Sequence, residues 1–341
     1  MKKVCVISTG GTIGMKETPS GLRPEPGFIR SQISQMPELS QPMMPALDLV
    51  EYEPVIDSSN MRPSDWGKLA RDIERRYFDY DGFVVLHGTD TMAYTASALP
   101  LILGPIAKPI ILTGSQLPLA QVRSDARENF TTAVLLAANY QLPEVCVLFG
   151  DLLLRGCRTT KLSAESFDAF ESPNFAPLGR IGATIDIDDT LLQPAAPAGQ
   201  RPALHKIEAQ NIATFRLFPG MSNQVLKRIL QAPLQALILE SYGPGNGPNN
   251  DPEFLETIAA ANQAGIVLVS CSQCKHAHVT QPDQAEYETG RVLLDAGVIS
   301  GFDMTIEAAI TKLQFLFSNY NSVNEIKQNI IRNFAGELTT G

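Results

Sequence analysis

Residues 82–86, Gly-Phe-Val-Val-Leu, form an unbroken apolar run that stops at the polar sequence His87-Gly88-Thr89-Asp90-Thr91. A strand with no alternation of apolar and polar positions has both faces covered, the condition of a strand inside a parallel sheet. The same pattern recurs at residues 4–7, 110–113 and 145–149. Helix-period segments separate these runs. Trp66, Leu69, Ala70, Ile73 and Tyr77 recur at helical spacing with charged residues between them, and further helices are predicted from about residue 92 to 103 and 126 to 139. Alternating strands and helices predict an α/β chain whose mostly parallel sheet is flanked by helices.

Residues 191–210 break the pattern. Gln193-Pro194-Ala195-Ala196-Pro197-Ala198-Gly199-Gln200-Arg201-Pro202 has the composition of a connection between domains. A second α/β pattern follows, with strands at 213–218, 236–239 and 266–270 and helices at 222–231 and near 252–264. The tail from 307 to 334 reads as helical, with Ile310, Leu313 and Phe317 on one face. A chain of 341 residues is long for one core, and 44% hydrophobic residues suffice for two. The expected division is a larger N-terminal catalytic domain at 1–190, a linker at 191–212 and a smaller C-terminal α/β domain at 213–341.

A formal charge of −9 with scattered lysines and arginines argues against nucleic acid and against a polybasic membrane patch. The apolar run at 4–7 is too short for a signal-peptide core, and no stretch approaches the roughly 20 apolar residues of a membrane span. Five cysteines, an odd count in a chain large enough to fold without disulfides, point to reduced thiols and a cytoplasmic address.

Open parallel sheets take their ligands at the C-terminal ends of the strands. Three hydroxyl-rich turns occupy such ends: Thr9-Gly10-Gly11-Thr12-Ile13-Gly14, His87-Gly88-Thr89-Asp90-Thr91 and Thr113-Gly114-Ser115-Gln116. A fourth, Asp57-Ser58-Ser59-Asn60, follows the extended stretch 50–56. The first turn lacks the spacing of a dinucleotide fingerprint or a phosphate loop, so either it is a tight structural turn or it presents a threonine to a ligand. In the second, a cap on the following helix would account for Thr89 or Asp90 but not for three polar residues together. His87 reads as a structural histidine rather than a base. A threonine hydroxyl needs a proton acceptor before it can attack, and a lysine kept neutral by burial can serve. Lys161 is the candidate, although taken alone it is an ordinary surface lysine. Cys271-Ser272-Gln273-Cys274-Lys275-His276-Ala277-His278 packs its four potential ligands too tightly for a structural zinc motif, and Cys271 continues an apolar strand.

These turns, together with Arg158-Thr159-Thr160-Lys161, Phe167-Asp168-Ala169-Phe170, Tyr242-Gly243-Pro244-Gly245-Asn246 and the segment 297–305, resemble the signature segments of bacterial-type L-asparaginases. The similarity spans essentially the whole chain and is closest to the cytoplasmic, type I branch. It implies the two-domain asparaginase-like α/β fold and hydrolysis of the L-asparagine side-chain amide through a threonine-linked acyl-enzyme. By matching position, Thr12 is the nucleophile, and Thr89, Asp90 and Lys161 form a second catalytic cluster. Asp57, Ser58, Ser59, Gly88 and Ser115 bind substrate, and Asn246 reaches the site of a neighbouring subunit in a dimer or dimer of dimers. No metal or organic cofactor is implied.

Two positions depart from the family pattern. Leu22, in Ser20-Gly21-Leu22-Arg23-Pro24, stands where many members carry a tyrosine that assists the nucleophile. Glu240 stands where some cytoplasmic members carry an arginine of a regulatory asparagine site, so that regulation is not expected. The related amidase subunit of tRNA-dependent amidation usually has an extra N-terminal domain, for which Met1 to Val4 leave no room. A non-catalytic amino-acid sensor and a mixed glutaminase-asparaginase are the alternatives.

Overall fold

The computed structural model describes residues 1–19, 21–25, 27–279 and 288–340. Contacts divide the chain into two compact units, residues 1–205 and 206–341.

In the first unit, β1 (Lys3–Ser8) leads through a short turn (Thr12–Gly14) into an antiparallel hairpin, β2 (Met15–Thr18) and β3 (Gly21–Pro24). Helix α1 (Phe28–Ser34), β4 (Ala46–Glu51), α2 (Pro63–Arg76), β5 (Gly82–Leu86), α3 (Met92–Leu103) and β6 (Ile110–Thr113) follow. Next come α4 (Ala126–Asn139), β7 (Val145–Phe149) and β8 (Leu152–Arg155). A two-stranded arm, β9 (Thr160–Lys161) and β10 (Phe170–Glu171), precedes β11 (Gly179–Ile181) and β12 (Ile185–Ile187). The main sheet has the order β12-β11-β8-β7-β6-β5-β1-β4. Strands β4, β1, β5, β6 and β7 are parallel, and β8, β11 and β12 extend the sheet antiparallel.

The sequence dictates these elements in simple ways. Residues Val4 to Ile7, Phe83 to Leu86 and Ile110 to Leu112 are almost wholly inaccessible, as a sheet covered on both sides requires. Helix α2 starts at Pro63, its Asp65 carboxylate accepts the Arg62 N–H at 2.9 Å, and Trp66, Leu69, Ala70 and Ile73 form its buried stripe. Helix α3 is buried on nearly every side and ends at Gly104, whose φ is 63°. The extended stretch expected at 50–56 is displaced: the strand is Ala46–Glu51, and it stops ahead of Pro54, a residue that cannot donate to a ladder.

The second unit is a four-stranded parallel sheet, β13 (Ile212–Arg216), β14 (Ala236–Ser241), β15 (Val267–Ser272) and β16 (Ile299–Ser300), in that order. Helices α5 (Asn223–Ile229), α6 (Pro252–Gln263), α7 (Glu288–Asp295), α8 (Ile306–Asn319) and α9 (Val323–Ile330) accompany it. Its core gathers Leu226, Leu237, Leu239, Phe254, Ile258 and Leu268. Glu240 pairs with Arg216 of the adjacent strand at 3.1 Å.

The tail differs from expectation. It is two helices, because Ser322 and Glu325 exchange capping hydrogen bonds and start α9 afresh. Ile310 and Phe317 are only partly covered; the deeply buried residues of α8 include Ala309, Lys312, Leu313 and Leu316. The buried stripe is rotated from the expected one and includes a charge. The Lys312 ammonium, with no exposed side-chain surface, meets Glu337 at 2.7 Å, and the Glu337 carboxylate also accepts the Phe334 and Ala335 N–H groups.

Among the described residues no helix is long and apolar enough to cross a membrane, and no group of three or more His, Cys, Asp or Glu is placed to hold a metal ion. Cys271 lies buried in β15, and burial pushes its thiol up to about 12.

Candidate active site

Taken in chain order, the parallel strands run 2-1-3-4-5 across the sheet, so the connection leaving β1 toward β4 and the one leaving β5 toward β6 diverge and open a crevice beside the C-terminal ends of β1 and β5. The turns at 9–14 and 87–91 leave those two strand ends. The ladder continues one residue beyond the strands: Thr9 N–H and Oγ1 both donate to the Leu86 carbonyl at 3.0 Å, and His87 N–H donates to the Thr113 carbonyl at 2.9 Å. Three polar turns are thereby set side by side.

Glycines decide how closely they pack. A Cβ on Gly11, whose φ is 93°, would lie 2.5 Å from the backbone of Gly88. A Cβ on Gly88 would lie 2.4 Å from Ser58 Oγ. Segments 9–14 and 87–91 therefore touch backbone to backbone, which only glycine allows, and the Ser58 side chain lies directly against Gly88. Thr91 Oγ1 adds a hydrogen bond to the Ser58 carbonyl at 2.7 Å.

Thr12 opens the short turn after Gly11; it is half-buried, and its hydroxyl has no hydrogen-bond partner among the described residues. Asp57 accepts the Ser59 N–H and hydroxyl, both at 2.9 Å, holding 58–60 in a helical turn. Ser58 is buried, whereas Asp57 and Ser59 are exposed.

Thr89 and Asp90 do not cap α3. Its N-cap is Thr91, whose side chain makes no cap hydrogen bond. Instead Lys161 Nζ donates to Thr89 Oγ1 and to Asp90 Oδ1, each at 2.8 Å. The Asp90 side chain is 64% exposed and that of Lys161 19% exposed, so Lys161 lacks the full burial expected of it and faces a carboxylate. The arm explains its placement. Lys161 is registered with Phe170, which packs against Phe149 at 5.0 Å between centroids, at the end of β7.

His87 is structural. It is 1% exposed; its Nδ1 lies 2.7 Å from the Gly88 carbonyl and its Nε2 2.8 Å from Thr95 Oγ1. A carbonyl only accepts, so Nδ1 carries the proton, and Nε2 accepts from Thr95. Burial lowers its pKa from 6.5 to about 4. Between those values the unfolded chain binds a proton that the folded chain refuses, so this stabilising contribution is complete above about pH 6.5 and declines toward pH 4. Unfolding midpoints measured from pH 7 down to pH 4.5 should fall faster for the native chain than for His87→Asn, by roughly 2 kcal/mol.

Ser115 is 1% exposed, and its hydroxyl donates to the Leu117 carbonyl. The turn around it is held by a residue that sequence reasoning missed. Asp125 accepts the N–H groups of Gln116 and Leu117 at 3.0–3.1 Å, and Asn129 spans from the Gly114 carbonyl to the Gly150 N–H. A Ser-Asp pair ahead of a helical pattern is the only local signal for it. Leu22 sits on β3 opposite Glu17, 43% exposed, while Ser20 lies outside the described residues. Asn246 belongs to the second unit, where its backbone closes a turn on Tyr242 and its buried Oδ1 has no hydrogen-bond partner among the described residues.

Comparison with known proteins bears on this geometry. Residues 3–193 match the family model of the asparaginase N-terminal domain, and residues 211–330 that of the glutaminase/asparaginase C-terminal domain. L-asparaginase 1 of Escherichia coli strain K12 is 46% identical over 339 residues, covering 99% of this chain and 98% of its own. The crystal structure of L-asparaginase I from Vibrio cholerae superposes with a TM-score of 0.91 at 42% identity, covering 99% of each chain. The thermostable L-asparaginase from Thermococcus kodakarensis superposes with a TM-score of 0.88 at 30% identity, over 99% of this chain and 100% of its own. Since the models match both units and the relatives span nearly its full length, this chain belongs to the asparaginase family.

Proposed function

We propose that this chain hydrolyses the side-chain amide of L-asparagine to L-aspartate and ammonia, with Thr12 as nucleophile. The observation that carries this is the cluster of Thr89, Asp90 and Lys161, joined at 2.8 Å at the strand ends where Gly11 and Gly88 bring the Thr12 turn alongside. Thr12 Oγ1 attacks the amide carbon, the C–N bond breaks as the nitrogen gains a proton, and ammonia leaves a β-aspartyl ester. Water then adds to the ester carbon, the Thr12 oxygen recovers a proton, and aspartate departs. Lys161 and Thr89 serve the proton transfers to and from the attacking threonine or water. N–H groups of the glycine-rich turns face the developing oxyanion, at about 3 kcal/mol per donor.

The exposed Asp90 carboxylate receives the substrate α-ammonium, and Ser58 with its neighbouring backbone the α-carboxylate; Asp57, Ser59, Gly88 and Ser115 shape the remainder. The same reading makes the molecule a homo-oligomer, a dimer or dimer of dimers, in which the buried Asn246 Oδ1, without a partner among the described residues, finds its use at a neighbour's site. A cytoplasmic location fits its five cysteines, all of them thiols.

The test is ammonia release from L-asparagine and, separately, L-glutamine. Turnover of asparagine is expected. One extra methylene shifts selectivity by only about 1–3 kcal/mol, so slower glutamine turnover is compatible. Inactivity on both amides with retained aspartate binding would replace the enzyme by an amino-acid sensor.

A further inference from the structure

The turn after β6 is bonded to both halves of the candidate site. On one side the Leu119 N–H donates to the Ile13 carbonyl at 3.2 Å, within the turn that holds Thr12. On the other, the Gln116 side chain reaches the arm that carries Lys161: its Nε2 donates to the Ser166 carbonyl at 3.0 Å and the Ser163 carbonyl at 3.3 Å. A glutamine amide nitrogen has two hydrogens, and each has an acceptor here. Gln116 is itself immobilised, because its backbone N–H is held by both oxygens of Asp125 at 3.0–3.1 Å.

At its base the arm is held by Phe170 against Phe149 and by a ladder of two residues on each side, with the Leu162 and Ser163 N–H groups both reaching the Ala169 carbonyl. Within its loop, Ser163 Oγ accepts the Glu165 and Ser166 N–H groups and Ser166 Oγ accepts that of Asp168, bonds that shape the loop but anchor it to nothing outside. Leu162 and Phe167 are partly exposed. The 2.8 Å contacts of Lys161 therefore depend on where the arm comes to rest, and a displacement of about 1 Å takes a hydrogen bond out of range.

We infer that Gln116 is a positioning residue for the reaction: its amide ties the Lys161 arm to the rigid turn after β6 and so sets Lys161 against Thr89 and Asp90. This rests on the amidohydrolase reading above. Gln116 is given no contact with substrate; it acts through Lys161.

The test compares native protein with Gln116→Met, which keeps length and loses both donors, and Gln116→Glu, which turns a carboxylate toward the two carbonyls. Steady-state kinetics on asparagine are measured together with amide hydrogen exchange over residues 162–168. The expected result is faster exchange in that segment and a kcat lower by on the order of 10- to 100-fold with KM changed much less, since misplacing a reacting group costs rate more than binding. In a Lys161→Met background, Gln116→Met should cost less than about 2-fold further, because a residue acting through another shows no effect once the other is gone. Unchanged exchange in both variants, unchanged kcat, or an equal loss in the Lys161→Met background would each overturn the inference. If the native protein releases no ammonia from asparagine, it is the functional reading that fails, and the tether is then judged by exchange alone.

Discussion

Thr12→Ala should lower ammonia release from asparagine by on the order of 10⁴-fold, while the protein remains folded and still binds aspartate. The magnitude follows from the proposed chemistry. Without the hydroxyl there is no acyl-enzyme, and water must attack a bound amide directly with only positioning and electrostatic help remaining. The structural side of the expectation rests on two observations: Thr12 is half-buried rather than packed in the core, and its hydroxyl makes no hydrogen bond among the described residues. Its removal leaves no buried group unsatisfied, so the unfolding midpoint should move by less than about 1 kcal/mol. Thr12→Ser, which restores the hydroxyl, should recover much of the rate. Substantial turnover by the alanine variant would move the nucleophile elsewhere, with Thr89 the first alternative.

The largest expected effect on stability lies in the second unit. Lys312→Met should destabilise the protein by about 3–5 kcal/mol, read as a shift of the urea unfolding midpoint. The lysine is fully buried, its ammonium donates to the Arg332 carbonyl at 2.5 Å and meets Glu337 at 2.7 Å, and Glu337 is 1% exposed. Removing the cation strands a carboxylate that retains backbone N–H partners but no counter-charge. The double variant Lys312→Met/Glu337→Gln should recover a large part of the loss, because a neutral pair escapes the desolvation of both ions. If the single and double variants are equally unstable, packing of the lysine stem rather than charge pairing governs the site.

The elements legible in the sequence are those with a regular burial pattern. Strands β5, β6 and β7 and helix α3 are covered nearly all round and leave apolar runs ended by glycine, proline or polar turns, whereas α2 shows as a buried stripe at helical spacing. The antiparallel extension β8, β11 and β12 was not legible, since strands of three or four residues entered by sharp reversals show no period. The β2–β3 hairpin is largely exposed and carries no apolar stripe. In the site, local chemistry marked the turns at 9–14 and 87–91 but could not join Lys161 to Thr89, which lies 72 positions away. Their pairing was anticipated only through the family resemblance. Asp125, and the contacts of Gln116, were not legible because their partners are backbone groups, which no side-chain pattern records.

The glycine contact at the site also bears on how this pocket could be re-engineered. A methyl group on Gly11 would run into the Gly88 backbone, and one on Gly88 into the Ser58 side chain. The two positions cannot exchange bulk, as neighbouring core residues often do, because neither has any to give. A randomised library that includes them would consist mostly of collapsed pockets. One that spares both glycines would keep the close backbone contact on which the two turns are mounted.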